Sequence, residues 1–126
     1  RDGFVIPNYP SFGPDGTLYF SASGHWSRND GHVYRLSPDG DLDVLTDRLP
    51  HSPNGCAVTA DGRWLWIVES YRPALSRIDL QTSEVEEIRR LEGTVPDGVA
   101  FTETGVASAC VSRHLAFNSP PLIGEK

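Results

Sequence analysis

Asn8, Asn54 and Asp97 each follow a proline, in Pro7-Asn8, Pro53-Asn54 and Pro96-Asp97. Amide and carboxylate oxygens are hard donors, and hard cations such as Ca²⁺ collect several of them without competing thiolate chemistry. Asn8 lies 46 residues before Asn54, and Asn54 lies 43 before Asp97. Gly16, Gly62 and Gly105 keep the same steps of 46 and 43. If the repeated segments are equivalent in space, side chains far apart in the chain meet at one point. That convergence is the functional clue.

A period in the forties, built from short strands and turns, is the signature of a β-propeller with one blade per repeat. The first repeat reads as four strands: Ser11 to Gly13 innermost, Thr17 to Ala22 second, His32 to Leu36 third and Leu42 to Leu45 outermost. The second repeats the plan with Cys56 to Thr59, Trp64 to Val68, Leu75 to Leu80 and Val85 to Arg89. Asp-Gly at Asp15-Gly16, Asp39-Gly40 and Asp61-Gly62 supplies the positive φ of tight hairpins. A third repeat begins with Val99 to Phe101, and its expected second strand, Val106 to Val111, is made of small residues that should pack poorly. Beyond it, Pro120-Pro121 opposes a strand. The expected fold is all-β, about two and a half blades of a propeller over 1–111, with blades starting near 8, 54 and 97. An irregular tail is expected over 112–126.

The chain has 126 residues and a formal net charge of −6. No basic cluster is present to meet a nucleic-acid backbone. No run approaches the roughly eighteen apolar residues of a membrane span, and no signal-peptide pattern opens the chain. Cys56 and Cys110 lie in apolar strands and read as reduced core thiols, which leans towards a cytoplasmic location. An unclosed stack of blades exposes sheet faces. The chain opens on Arg1, so truncation, or self-association of copies to complete the ring, is expected over a free-standing half ring.

Pro53-Asn54-Gly55, Asp61-Gly62, Trp64 to Val68 and Ser76-Arg77-Ile78-Asp79-Leu80 resemble the SMP-30/gluconolactonase family, also called regucalcin-like. Pro96-Asp97-Gly98-Val99-Ala100 is similar to the family's next blade start, and Pro7-Asn8 with Thr17 to Phe20 to the preceding one. The resemblance covers roughly residues 5 to 110. It implies a six-bladed propeller, lactonase activity and a divalent cation on the propeller axis, Ca²⁺ first, with Zn²⁺, Mn²⁺ or Mg²⁺ as alternatives. Asn54 and Asp97 then match two metal ligands, and Asn8 matches an Asn that contacts metal or substrate. Three departures stand out. Tyr9 replaces an Asp common after the first Asn, Ile6 stands where some relatives carry a substrate-contacting Arg, and the family's Glu ligand has no counterpart here.

On this reading Asp97 is the catalytic residue, as base or as orienter of the attacking water, because it is the one carboxylate at the repeated position. Asn8 binds substrate, a sugar lactone or similar small cyclic ester. His25, Trp26, Tyr71 and Arg72, on the loops after the second strands, are secondary substrate contacts, and Glu69 could reach a loop on the same face. Each has a plainer alternative. Asn-Gly and Asp-Gly are ordinary turn formers, His25 fits an exposed loop, and Trp64 and Trp66 fit blade packing. The rival function is a non-catalytic propeller module that binds calcium or a partner, and a synthase-like propeller that needs no metal is a third. No Gly-x-Ser-x-Gly elbow, His-Glu-x-x-His or phosphate loop is present.

Overall fold

The computed structural model describes residues 5–25 and 27–105, and the backbone of 107–112. β1 (Pro7–Phe12), β2 (Leu18–Ala22), β3 (His32–Leu36) and β4 (Leu42–Thr46) form an antiparallel sheet in sequential order. β5 (Pro53–Val58), β6 (Trp64–Glu69), β7 (Ala74–Asp79) and β8 (Val85–Arg90) form a second with the same order. β9 (Val95–Phe101) and β10 (Ala107–Ser112) pair as the start of a third. These are two propeller blades and part of another, as the repeat predicts. The tail expected over 112–126 lies, from 113 onward, outside the described residues.

The hairpin between the first two strands is built alike in each repeat. Gly16, Gly62 and Gly105 take φ of 86°, 72° and 82°, the left-handed backbone that glycine adopts without Cβ strain. The aspartate before the first two closes the turn, Asp15 Oδ1 accepting from Thr17 N at 3.0 Å and Asp61 Oδ1 from Arg63 N at 3.0 Å. Asx turns of this kind explain why Asp-Gly recurs there.

Strand alternation divides the second blade's side chains between its two neighbours. Leu65 and Ile67 point to one face and join Tyr19, Val33, Leu45, Leu49, Cys56 and Ile78 in a core between the first and second blades. Trp66 and Val68 point to the other, where Val68, Leu75, Leu91 and Val99 pack together against Trp66 and Phe101 of the third blade. Trp66 meets Phe101 edge-on with ring centroids 6.4 Å apart. Trp64 carries Arg77 over its ring at 3.9 Å. Trp64 and Trp66 therefore serve blade packing, as the plainer reading has it. Cys56 is buried and unbridged, and burial pushes its thiol up to about 12, so it behaves as a small apolar residue.

The outer strands carry charge in place of a partner strand. Arg35 faces Asp43 across β3 and β4, and Arg77 faces Glu86 across β7 and β8, with closest contacts of 2.9 Å and 2.7 Å. Deeper in the second blade, Arg63 Nη2 lies 2.7 Å from Asp79 Oδ2. With Gln81 N donating to Oδ1 at 2.9 Å, this contact lowers the Asp79 carboxyl from its ordinary 3.8 to about 2. A depressed folded-state value contributes stability that is complete above the ordinary value and lost as pH falls towards the folded one. The melting temperature should thus drop more steeply for the wild type than for Asp79→Asn between about pH 4 and about pH 2. Parallel melting curves would remove the pair from the acid response.

Candidate functional site

The inner strands β1, β5 and β9 begin earlier than expected, so Asn8, Asn54 and Asp97 lie within strands and not in turns. Each occupies a β-bulge. Asn8 and Tyr9 together oppose one residue of β2, because Pro7 pairs with Ala22 and Pro10 with Phe20. Asn54 and Gly55 oppose one residue of β6, between the pairs Pro53 with Glu69 and Cys56 with Ile67. Asp97 is the additional residue between Pro96, opposite Val111, and Gly98, opposite Cys110. A bulge bends the strand and redirects one side chain out of the alternation. The same device falls on all three residues. Neither Asn54 and Gly55 nor Asp97 and Gly98 adopt positive φ, which sets aside the turn-former reading.

Gly55 shows how near two of these bulges come. A Cβ built on it would overlap the Cα of Gly98 and the carbonyl oxygen of Asp97. The backbones flanking Asn54 and Asp97 are therefore in direct contact, on adjacent inner strands. The first joint is tied too, with Val58 N donating to Ser11 Oγ at 3.1 Å.

Two serines missed from sequence link the bulges. Asn8 Nδ2 donates to Ser23 Oγ at 2.9 Å, and Ser23 Oγ donates to the Pro53 carbonyl at 3.0 Å. One blade on, Asn54 Nδ2 donates to Ser70 Oγ at 3.2 Å, and Ser70 Oγ donates to the Pro96 carbonyl at 2.7 Å. Each acceptor carbonyl belongs to the peptide that leads into the next Asn or Asp. The backbones match as well. Ser23 N donates to Ile6 O at 2.9 Å and Ser70 N to Ser52 O at 3.0 Å, and Ile6 and Ser52 both hold positive φ, of 54° and 62°. The signal was present as Ser23 and Ser70, 47 residues apart and so within the repeat.

The loops after β2 and β6 rise at the end that carries Asn8 and Asn54, as expected. On the first, His25 Nδ1 lies 2.7 Å from Asp30 Oδ2, and His25 N donates to Asp30 Oδ1 at 2.7 Å. That contact lowers the Asp30 carboxyl below its ordinary value. The ring is half exposed, and Trp26 is outside the described residues. On the second loop, Arg72 Nη1 is drawn to Glu87 Oε2 at 2.7 Å, towards the outer strand, while Tyr71 N donates to His51 O at 3.1 Å. Glu69 is buried under the same loop and accepts from His51 N at 2.8 Å. Burial raises its carboxyl above the ordinary value, the backbone N–H of His51 opposing that shift.

Among the described residues no three of His, Cys, Asp or Glu form a metal cluster. The oxygen donors at the bulges are of the right chemistry for a hard cation, one carboxylate and the carbonyl ends of Asn side chains whose nitrogens are already committed to serine. They are fewer than the six to eight oxygens that Ca²⁺ takes.

Residues 3–118 match a family model described as the SMP-30/gluconolactonase/LRE-like region. No curated protein matches the sequence. Among solved structures, one whose gluconolactonase assignment is provisional shares 27% identity, with a TM-score of 0.66, over 82% of this chain and 40% of its own. Regucalcin from Agrobacterium tumefaciens, described as a calcium-binding protein, is 19% identical, with a TM-score of 0.66, over 82% of this chain and 37% of its own. Virginiamycin B lyase from Staphylococcus aureus is 20% identical, with a TM-score of 0.68, over 86% and 36%. The chain spans about 36–40% of the length of these solved chains. The last two likenesses show the fold alone.

Proposed function

Because the chain belongs to the SMP-30/gluconolactonase/LRE-like family, we propose that its protein is a divalent-metal-dependent hydrolase of sugar lactones or similar small cyclic esters. The observation that carries this is the contact between the bulges of Asn54 and Asp97, with serine holding the Asn54 nitrogen and leaving its oxygen available. Asn54 Oδ1 and the Asp97 carboxylate would hold the cation, Ca²⁺ by donor type. When bound, such a cation supplies Lewis-acid polarisation of the lactone carbonyl. Asp97 takes a proton from the water that attacks the carbonyl carbon and returns it to the ring oxygen as the C–O bond breaks. Asn8 presents its amide oxygen to a substrate hydroxyl and orients the ring. The His25–Asp30 pair stands on the loop above Asn8, where it can contact the substrate's far end.

A non-catalytic calcium- or partner-binding module is the second reading. It is favoured by the small number of carboxylates at the bulges among the described residues. Calorimetric titration of the protein with Ca²⁺, Zn²⁺ and Mn²⁺, beside hydrolysis of gluconolactone, separates the two. Saturable binding with turnover that a chelator abolishes is expected. Binding without turnover would establish the module, and neither would overturn both.

A further inference from the structure

We infer that Ser70 is a positioning residue: its hydroxyl decides which end of the Asn54 amide is presented and ties that amide to the strand that carries Asp97. A serine hydroxyl owns one hydrogen. In Ser70 it goes to the Pro96 carbonyl, at 2.7 Å and buried. The oxygen of Ser70 can then only accept from Asn54, so the group facing it at 3.2 Å must be the amide N–H₂. A flipped amide would set two oxygens against each other with no proton between them. The two ends of an Asn side chain, often indistinguishable, are here fixed by their partner.

Two consequences follow. Asn54 Oδ1 is turned away from Ser70 and kept free to act as a donor. The Pro96–Asp97 peptide is held by the same hydroxyl, so one side chain sets the relative position of two groups on different blades. Ser23 repeats the arrangement between Asn8 and the Pro53–Asn54 peptide, at 2.9 Å and 3.0 Å. The serines join the bulges in a chain, Asn8 to Ser23 to the peptide before Asn54, then Asn54 to Ser70 to the peptide before Asp97. Groups that orient metal ligands through hydrogen bonds typically change metal affinity by about 10 to 100-fold when removed.

The metal arm of the test rests on the reading that Asn54 and Asp97 hold a cation, whereas the amide arm does not. In metal-free protein, the Asn54 side-chain amide in a ¹⁵N–¹H spectrum should show one proton shifted and protected from solvent exchange. Ser70→Ala should abolish that protection, and Ser70→Thr, which keeps a hydroxyl, should retain it. In Ca²⁺ titrations, Ser70→Ala should weaken affinity about 10-fold or more, and Ser70→Thr by far less. The deciding background is Asn54→Asp, whose side chain ends in two oxygens and has no wrong way round. There the same Ser70→Ala change should cost less than about a third of that factor.

Equal losses in both backgrounds would reduce Ser70 to a structural contact and overturn the inference. So would an Asn54 amide exchanging like a free side chain in the wild type. If the wild type binds no Ca²⁺, or Asn54→Ala binds it as tightly, the metal reading fails. The amide spectrum then still decides whether Ser70 orients Asn54.

Discussion

Asp97→Ala should lower kcat/KM for lactone hydrolysis by about 10³-fold or more. On the proposed mechanism it removes at once a carboxylate ligand of the cation and the group that handles the proton of water. The protein should remain folded, because Asp97 is exposed on its bulge and the neighbouring Pro96 carbonyl keeps its bond to Ser70. A melting temperature within about 4 °C of wild type is expected. Asp97→Asn separates the two roles. Its amide oxygen can still serve as a donor, so Ca²⁺ binding should survive in weakened form while turnover is lost. Turnover retained by either variant would remove Asp97 from the mechanism.

Gly55→Ala should destabilise the fold by about 3 kcal/mol or more, at or beyond the upper end of ordinary overpacking. The added Cβ would overlap the Cα of Gly98 and the carbonyl oxygen of Asp97. Both are backbone atoms, so no side chain can swing aside. The inner strands must separate, or the bulge at Asp97 must move. Gly13→Ala is the contrasting case. Its Cβ would meet Asp15 Oδ1 at 3.1 Å and the Tyr19 ring at 3.4 Å, contacts that small side-chain shifts relieve, and its cost should stay under about 1 kcal/mol. Urea unfolding tests the pair. A lower midpoint with an unchanged slope is expected for Gly55→Ala. Equal midpoints for the two variants would mean that the inner strands have slack and do not fix Asn54 beside Asp97.

The fold was legible because a propeller repeats its own grammar. Asp-Gly turns, the apolar second strands and the alternation of Leu65, Trp66, Ile67 and Val68 each state locally what the blade does globally. The strands could be placed to within a residue or two, except the innermost. Those were expected to start at Ser11, Cys56 and Val99. The structure starts them at Pro7, Pro53 and Val95 instead. Each inner strand is paired with only one strand of its own sheet, so a proline there leaves no second ladder unmade. The bulges were hidden for the same reason, since register is a property of two strands and a sequence displays one.

Of the candidate site, the residues that recur could be named, while those that hold them could not. Asn8, Asn54 and Asp97 share a position in the repeat, which pattern alone reveals. Ser23 and Ser70 share one too, yet serine after a strand is ordinary loop chemistry. Their meaning lies in a bond to the following blade that no local rule anticipates. Arg72 illustrates the converse. Its loop lies at the blade end that carries Asn54, but the guanidinium is held by Glu87 on the outer strand.

The central claim, that Asn54 and Asp97 serve a single cation, is tested most directly by a crystal structure of the protein grown with Ca²⁺. Anomalous density should identify one ion within about 2.3–2.6 Å of both Asn54 Oδ1 and an Asp97 carboxylate oxygen. An ion bound elsewhere, or touching one of these residues and out of reach of the other, would contradict it.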